Sequence, residues 1–349
     1  MRTPLVAALL AVATLALSTT PVAAEPANDS LTWSVTPSGP QGPNGRTALD
    51  YKLDPGATIT DHLAVTNHSR RPLTLRLYAS DAFTTAGGGF DLLAAGAAPR
   101  DAGGWVTLAR TTVTLPKSSR VVIPLTLTVP GNATPGDHAA GVVASLTDAG
   151  TGTGPDGRRV TVDHRVGTRI YLRVTGPLRP ALTVTDVQLT SGSSWNPVTL
   201  PHLTATFTIN NIGNVRLSAQ PSVHAHGPFG LGERSANGAA VPEVLPGGSL
   251  RTSIRLDGVP PLLREQLAVS VLPAAAGGRA IDPAPARAES QHTVWLIPWS
   301  QLGLLALVTA IVVGRLLARR RRRRALREAV AAAEQRGREQ AISAEEGPS

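Results

Sequence analysis

Between residues 31 and 273 the chain alternates apolar and polar side chains with period two. Leu73, Leu75 and Leu77 fall on one side, with Thr74, Arg76 and Tyr78 on the other. Val121, Ile123, Leu125, Leu127 and Val129 alternate with Val122, Pro124, Thr126 and Thr128, and Leu203, Ala205, Phe207 and Ile209 alternate with Thr204, Thr206, Thr208 and Asn210. Successive side chains of a strand point to opposite faces, so these runs predict sheets with one buried and one wet face. Many such runs, separated by turns rich in Gly, Pro and Asn, predict antiparallel sheets packed face to face. The fold class read from this pattern is all-β: two tandem Ig-like antiparallel β-sandwiches followed by a single transmembrane α-helix.

One design recurs twice. The stretch from Val65 through Asn67 and Pro72 to Leu77 resembles that from Ile209 through Asn211 to Leu217: strand, Asn-containing turn, strand. Later in each copy a Leu-Pro turn, Leu115-Pro116 and Leu245-Pro246, launches another alternating strand. Residues 25–176 are therefore assigned to a first sandwich and 177–273 to a second. Gly176-Pro177 and Pro180 mark a short, stiff junction. Residues 274–293, rich in Ala, Gly and Pro, are read as a stalk lifting the second sandwich off a bilayer. Residues 82–104 carry a triple-Gly turn and few alternating positions, which predicts a long loop or a partly helical insertion, and at that length a candidate binding loop.

The two ends differ from this body. Residues 1–24 have the form of a signal peptide, with Arg2, an apolar run and the small residues Val22-Ala23-Ala24. Residues 294–317 are assigned to a transmembrane helix. From Val294 to Val313 the strongly polar side chains are Ser300, Gln301 and Thr309, and such a helix reaches about 30 Å, the thickness of bilayer hydrocarbon. Trp295 and Trp299 stand at its outer edge, where indoles favour the headgroup region. Arg315 follows, then Arg319, Arg320, Arg321, Arg322, Arg323 and Arg324. Arginines resist translocation, so residues 318–349 are read as an Arg-rich cytoplasmic tail whose cluster meets anionic lipid headgroups. The chain is thus expected in the cell membrane, single-pass, with its ectodomain outside.

Charge supports that topology. Of 33 basic and 24 acidic residues (net +9), ten Arg and five acids lie from Arg315 onward, so the ectodomain is nearly balanced and offers no basic nucleic-acid face. The absence of cysteine excludes a disulfide framework, a thiolate metal centre and a Cys nucleophile. Aromatic residues at 3% leave few platforms for stacking on sugars or bases, while 42% apolar content is too rich for a disordered chain.

Catalytic patterns are weak. Gly152 to Gly157 formally matches G-x-G-x-x-G, but a strand pattern follows where a phosphate cradle needs a helix N-terminus. His224 and His226 share a strand face that could ligate a metal, without a third ligand nearby. There is no G-x-S-x-G elbow and no S-x-x-K. Acids such as Asp54 and Asp137 sit beside Pro and Gly, as in turns. No enzyme activity and no cofactor is expected.

An ordered set of motifs points further. Trp33-Ser-Val-Thr-Pro37 comes first, then Tyr51-Lys-Leu-Asp-Pro-Gly56 and the Asn67 turn. Trp105-Val-Thr-Leu108 and Leu115-Pro116 follow, then the run from Val129 through Pro135-Gly-Asp-His138 to Val143, and finally Arg165 through Tyr171 to Gly176. In this order the chain resembles the peptidoglycan-binding domain of WxL-interacting proteins, in the form seen in actinobacteria. The resemblance implies a non-enzymatic surface protein with an Ig-like peptidoglycan-binding domain, a second Ig-like domain for a protein partner, a membrane span and a basic tail. It implies no individual binding residue. The alternatives are a structural or adhesive spacer without glycan binding, and an exported metal-binding accessory protein using His224 and His226.

Overall fold

The computed structural model describes residues 31–147, 150–153, 159–162, 164–192 and 196–345. The leader assigned to residues 1–24 lies outside them. The first sandwich contains β1 (Trp33–Gly39), β2 (Gly42–Pro43), β3 (Leu49–Leu53), β4 (Thr58–Asn67), β5 (Leu73–Thr84), β6 (Phe90–Leu92) and β7 (Val106–Leu108). It continues with β8 (Thr112–Leu115), β9 (Arg120–Thr128), β10 (Gly136–Leu146), β11 (Gly150–Thr153), β12 (Arg159–Val162) and β13 (Arg165–Val174). The second contains β14 (Leu182–Gly192), β15 (His202–Asn211), β16 (Leu217–His226), β17 (Arg234–Asn237), β18 (Val241–Val244), β19 (Ser249–Leu256), β20 (Leu263–Ala275) and β21 (Ala288–Leu296). One long helix, α1 (Trp299–Glu345), follows.

In the first sandwich the sheet β2-β1-β4-β9-β7 faces the sheet β3-β13-β10-β5-β6, with β8 also paired to β5. The inward members of the alternating runs, among them Leu75, Leu77, Ile123, Leu125, Leu127, Ile170 and Leu172, form one core. Trp33 ties the two sheets together: its indole N–H donates to the Ala144 carbonyl at 3.0 Å. All pairs in this sandwich are antiparallel except β3 with β13, which is parallel. The chain crosses to the opposite sheet between β1 and β3. The second sandwich packs β14-β15-β19 on β17-β16-β20-β21 around a separate core centred on Phe207, Leu203, Ile209 and Leu217.

The recurring Asn turn has a shared structural basis. Asn67 is fully buried; its amide donates to the carbonyls of Arg71, Leu115 and Pro116, and its side-chain oxygen accepts from Ser69 N. Asn211, also buried, donates to Val215 O and Val244 O and accepts from Gly213 N. In both copies one amide side chain closes its own turn and pins it to the Leu-Pro turn that follows later in the chain.

Residues 82–104 are mostly not a free loop. β5 runs on to Thr84 and β6 pairs back on it. The carboxylate of Asp81 then gathers the N–H groups of Arg100, Asp101 and Gly103 at 2.5, 3.0 and 2.7 Å. The stretch that formally matches G-x-G-x-x-G runs into sheet, in keeping with the strand pattern after it: Gly152 and Thr153 lie in β11, paired antiparallel with β12, while residues 154–158 fall outside the described ones.

Two boundaries need correction. Residues 274–293 are not a stalk. Ala274 and Ala275 end β20, Arg279 reaches the first sandwich, and residues 288–296 return as β21 along β20 from Leu263 to Val271. The alternation of Ala288, Ser290, His292, Val294 and Leu296 is masked by the Ala- and Pro-rich approach, and pairing covers an edge of β20 that would otherwise stay open. The helix accordingly starts at Trp299, not at Val294. Pro298 holds Ile297 extended and its carbonyl accepts the first helical bond from Leu302 N at 2.9 Å. From Trp299 the helix is long and apolar enough to cross a membrane, and it carries Arg315 and the six following arginines without a break, through most of the tail, to Glu345.

Glu265, at the start of β20, is fully buried; one oxygen accepts from Leu262 N at 3.2 Å and the other has no partner. Burial raises its pKa, partly offset by the Leu262 N–H and by His226. A raised carboxyl pKa penalises the fold above that pKa and not below the unfolded value. Glu265→Gln is therefore expected to stabilise the protein at pH 7.5 by roughly 1 kcal/mol, a gain that disappears in melts near pH 4. Equal stability of the two proteins at pH 7.5 would contradict this.

Candidate functional site at the junction of the sandwiches

A cluster of charged and aromatic side chains lies where the sandwiches meet. Strand β13 turns Ile170, Leu172 and Val174 into its own core, so Arg169, Tyr171 and Arg173 share the other face. That face meets the second sandwich. Arg173 makes two bonds to Asp137, Nε to Oδ1 at 2.6 Å and Nη2 to Oδ2 at 2.8 Å, and Asp137 Oδ2 also accepts the backbone N–H of Arg216 at 2.8 Å. Glu243, itself buried, accepts from Arg169 at 3.1 Å, Arg216 at 3.3 Å and the Tyr171 hydroxyl at 3.0 Å. The Arg216 guanidinium lies 3.5 Å from the centre of the Tyr171 ring, a cation–π contact strengthened by exclusion of water. Burial, followed by the Glu243 charge, raises the Tyr171 pKa, while hydrogen bonding to Asp137 raises that of Arg173.

Backbone geometry makes this closeness possible. Gly136 has φ 125°, and a Cβ there would stand 2.3 Å from the Asn214 carbonyl oxygen, so only glycine fits. Asn214 then bonds the connection itself: its amide donates to Pro135 O and Pro177 O, its oxygen accepts from Arg179 N, and its carbonyl accepts from Asp137 N. On one flank the β5–β6 hairpin clamps the second sandwich, with Leu245 N donating to Thr84 Oγ1 at 3.0 Å and Arg251 N to Ala86 O at 2.9 Å. On the other, Arg279 pairs with Asp50 at 2.9 Å. The candidate binding loop is thus partly used as an inter-domain clamp. The crevice among Asp137, Tyr171, Arg173 and Arg216 leaves about the space of one water, so its chemistry is that of a fastener and not of a ligand pocket.

The motifs that carry the family resemblance also serve packing. Trp33 spans the sheets, Asn67 pins turns, and Gly136 and Asp137 form the joint. Tyr51 donates its hydroxyl to Asp61, which also receives Arg46 through two bonds of 2.7 and 2.9 Å; burial first, then the Asp61 contact, pushes the Tyr51 pKa up. His138 bridges Asp101 at 2.7 Å and Thr134 O at 2.8 Å. Burial works against its protonation, but the contacts to Asp101 and Thr134 outweigh that and raise its pKa.

An open groove lies elsewhere on the first sandwich, between edge strand β7 and strand β5. Arg76, Thr107, Thr111 and Thr112 line it with exposed side chains, together with Tyr78, whose hydroxyl is buried without a partner. Sequence reasoning did not single it out, because β7 contributes three residues and no repeated pattern. His224 and His226 do share an outward strand face, as expected, with His226 Nδ1 beside the neighbouring Gly227 carbonyl. Among the described residues no group of three potential metal ligands assembles there or elsewhere.

Fold and joint define a tandem β-sandwich protein with a hydrogen-bonded, ion-paired junction and a C-terminal helix long and apolar enough to cross a membrane. No protein-family model and no curated protein matches the sequence. Among solved structures, the chain is similar to a chaperone–tip adhesin complex of CFA/I fimbriae biogenesis (11% identity, TM-score 0.34, covering 76% of this chain and 99% of that one). It is similar too to the CsuC–CsuE chaperone–tip subunit pre-assembly complex of Acinetobacter baumannii Csu pili (10%, 0.35, 75% and 97%). These likenesses are too slight to carry an argument about function.

Proposed function

We propose that this chain is a non-enzymatic cell-surface protein, held in the cell membrane by α1 with both sandwiches outside, and that it binds peptidoglycan through the first sandwich. The reading is carried by the ordered motif set from Trp33 to Gly176, which falls within a single sandwich. The groove beside β7 supplies suitable chemistry: the hydroxyls of Thr107, Thr111 and Thr112 for sugar hydroxyls, and Arg76 for the carboxylates of stem peptides. Arg315 and the run from Arg319 to Arg324 stand on the exposed surface of α1, suited to anionic lipid. A spacer without glycan binding is the second reading, favoured by the use of the motif residues in packing.

The test is retention of the detergent-solubilised full chain on isolated cell walls. Retention well above an albumin control is expected, and Arg76→Glu is expected to reduce it about tenfold, the loss of one charge-assisted contact. Retention no greater than albumin's rejects peptidoglycan binding and leaves the spacer.

A further inference from the structure

The end of the second sandwich nearest α1 gathers exposed apolar side chains. Val198, Leu200, Phe229, Leu231, Trp295 and Trp299 are all exposed, Phe229 completely. Leu263, paired with Leu296, and Ile297 are exposed at the same end, and elsewhere on the described sandwich surfaces the large exposed apolar side chains are Phe83, Ile212 and Leu272, scattered singly. Scattered residues are ordinary, whereas a cluster at one pole marks an interaction surface.

Direct contacts join these residues into one surface. The segment 227–233 follows β16 and stacks on 257–262: a Cβ on Gly232 would lie 2.3 Å from Pro260, and one on Gly227 2.6 Å from Leu262. Segment 257–262 is bonded to 196–201 through Val259 N and Pro201 O at 3.1 Å. Segment 196–201 is bonded to the helix through Gln301 Nε2 and Pro197 O at 3.1 Å. Trp295, Ile297, Pro298 and Trp299 line a cleft with Thr199, Pro201 and Pro261. The apolar pole is therefore continuous with the point where α1 begins.

Phe229 is displayed, not merely left over. Its backbone has φ 59°, a left-handed conformation costly for a bulky residue. The turn that imposes it is closed by Gly227 N to Leu231 O at 2.8 Å, Gly230 N to Gly227 O at 3.2 Å and Leu231 N to Pro228 O at 3.2 Å. A rigid turn that spends backbone strain to hold an aromatic ring in water has no benefit to the sandwich itself. At a lipid headgroup boundary the same ring is favourably placed.

We propose that this pole docks on the outer surface of the bilayer, with the Phe229 turn and the 196–201 segment dipping into the headgroup–acyl boundary beside α1. The occupant is lipid because the surface is continuous with the membrane-spanning helix, so the bilayer is the apolar phase already at hand. The proposal rests on the reading that α1 crosses the membrane. It makes the second sandwich a foot set directly on the lipid, which the rigid joint then transmits to the orientation of the first.

The cysteine-free sequence allows one labelled position at a time. The full chain carrying Phe229→Cys, Lys117→Cys or Val308→Cys, each labelled with an environment-sensitive fluorophore, is reconstituted in 3:1 phosphatidylcholine–phosphatidylglycerol vesicles with or without nitroxide lipids, shallow ones that report on positions 229 and 117 and deep ones that report on 308. Phe229 and Lys117 are exposed, so neither change threatens the fold. The label at 308 is expected to be quenched strongly, that at 229 blue-shifted and quenched at least about twofold, and that at 117 unaffected. Quenching at 308 with a wet, unquenched label at 229 overturns the proposal while leaving the anchor intact. No quenching at 308 overturns the anchor and the proposal together. A label at 229 shielded from aqueous iodide yet unaffected by nitroxide lipid means that the pole is covered by protein, and also overturns it.

Discussion

Asp137→Ala is expected to lower the stability of the two-sandwich body by about 3–5 kcal/mol, the range for removing one partner of a buried ion pair. The substitution strips Arg173 of both its 2.6 and 2.8 Å bonds and Arg216 of its backbone acceptor in one step. Arg173, only 8% exposed, is left as a buried cation without a hydrogen-bonded counter-charge, with only the electrostatic influence of Asp50 remaining. The pair as a whole contributes little net stability, because desolvating two charges offsets most of their attraction; the cost arises from leaving one of them alone. What the pair decides is geometry. Denaturant midpoints measure the stability loss, and small-angle scattering of the detergent-solubilised chain should broaden as the sandwiches move relative to one another. A change below about 1 kcal/mol with unaltered scattering would show that the joint is held by its Asn214 and hairpin contacts instead.

Asn67→Ala and Asn211→Ala are each expected to cost about 3 kcal/mol, from several buried carbonyls and one N–H losing their partner at once. Asn67 leaves Arg71 O, Leu115 O and Pro116 O unsatisfied, and Asn211 leaves Val215 O and Val244 O. The matched pair makes the experiment informative. Calorimetry of each variant should show the first substitution lowering the transition of the first sandwich and the second lowering that of the other, unless the joint melts them together. Asn67→Asp is expected to be at least as damaging as Ala, because a carboxylate replaces a donor in front of three carbonyl oxygens. A loss under about 0.5 kcal/mol for either Ala variant would mean that the turns hold without the amide.

Much of this was legible in the chain. The period-two runs assigned the inward faces correctly: Leu73, Leu75, Leu77, Ile123, Leu125 and Leu127 are buried, as are Leu203, Ala205, Phe207 and Ile209. The repeated Asn turn was visible as an echo, though not what the amide bonds to, since its acceptors lie as far as 49 residues away. The stalk was misread because local composition gives Ala and Pro more weight than the short alternation from Ala288 to Leu296, whose meaning depends on an open edge of β20. Asp137 passed for a turn residue because Pro-Gly-Asp is ordinary turn chemistry. The signal that could have marked the joint is the face Arg169, Tyr171, Arg173, an aromatic between two arginines in a chain poor in aromatics.

By itself the sequence determined the all-β class, the tandem arrangement, the apolar helix and the side of it that carries the arginines. These depend on periodicity, run length and local charge, which are properties of neighbours along the chain. Tertiary structure alone decided that β21 closes the second sandwich, that residues 82–104 clamp one sandwich to the other, and that Phe229, Val198 and Trp295 share one pole. Each of those depends on which distant strand edges and faces meet, and register between remote strands is set by packing the whole core, not by any local pattern.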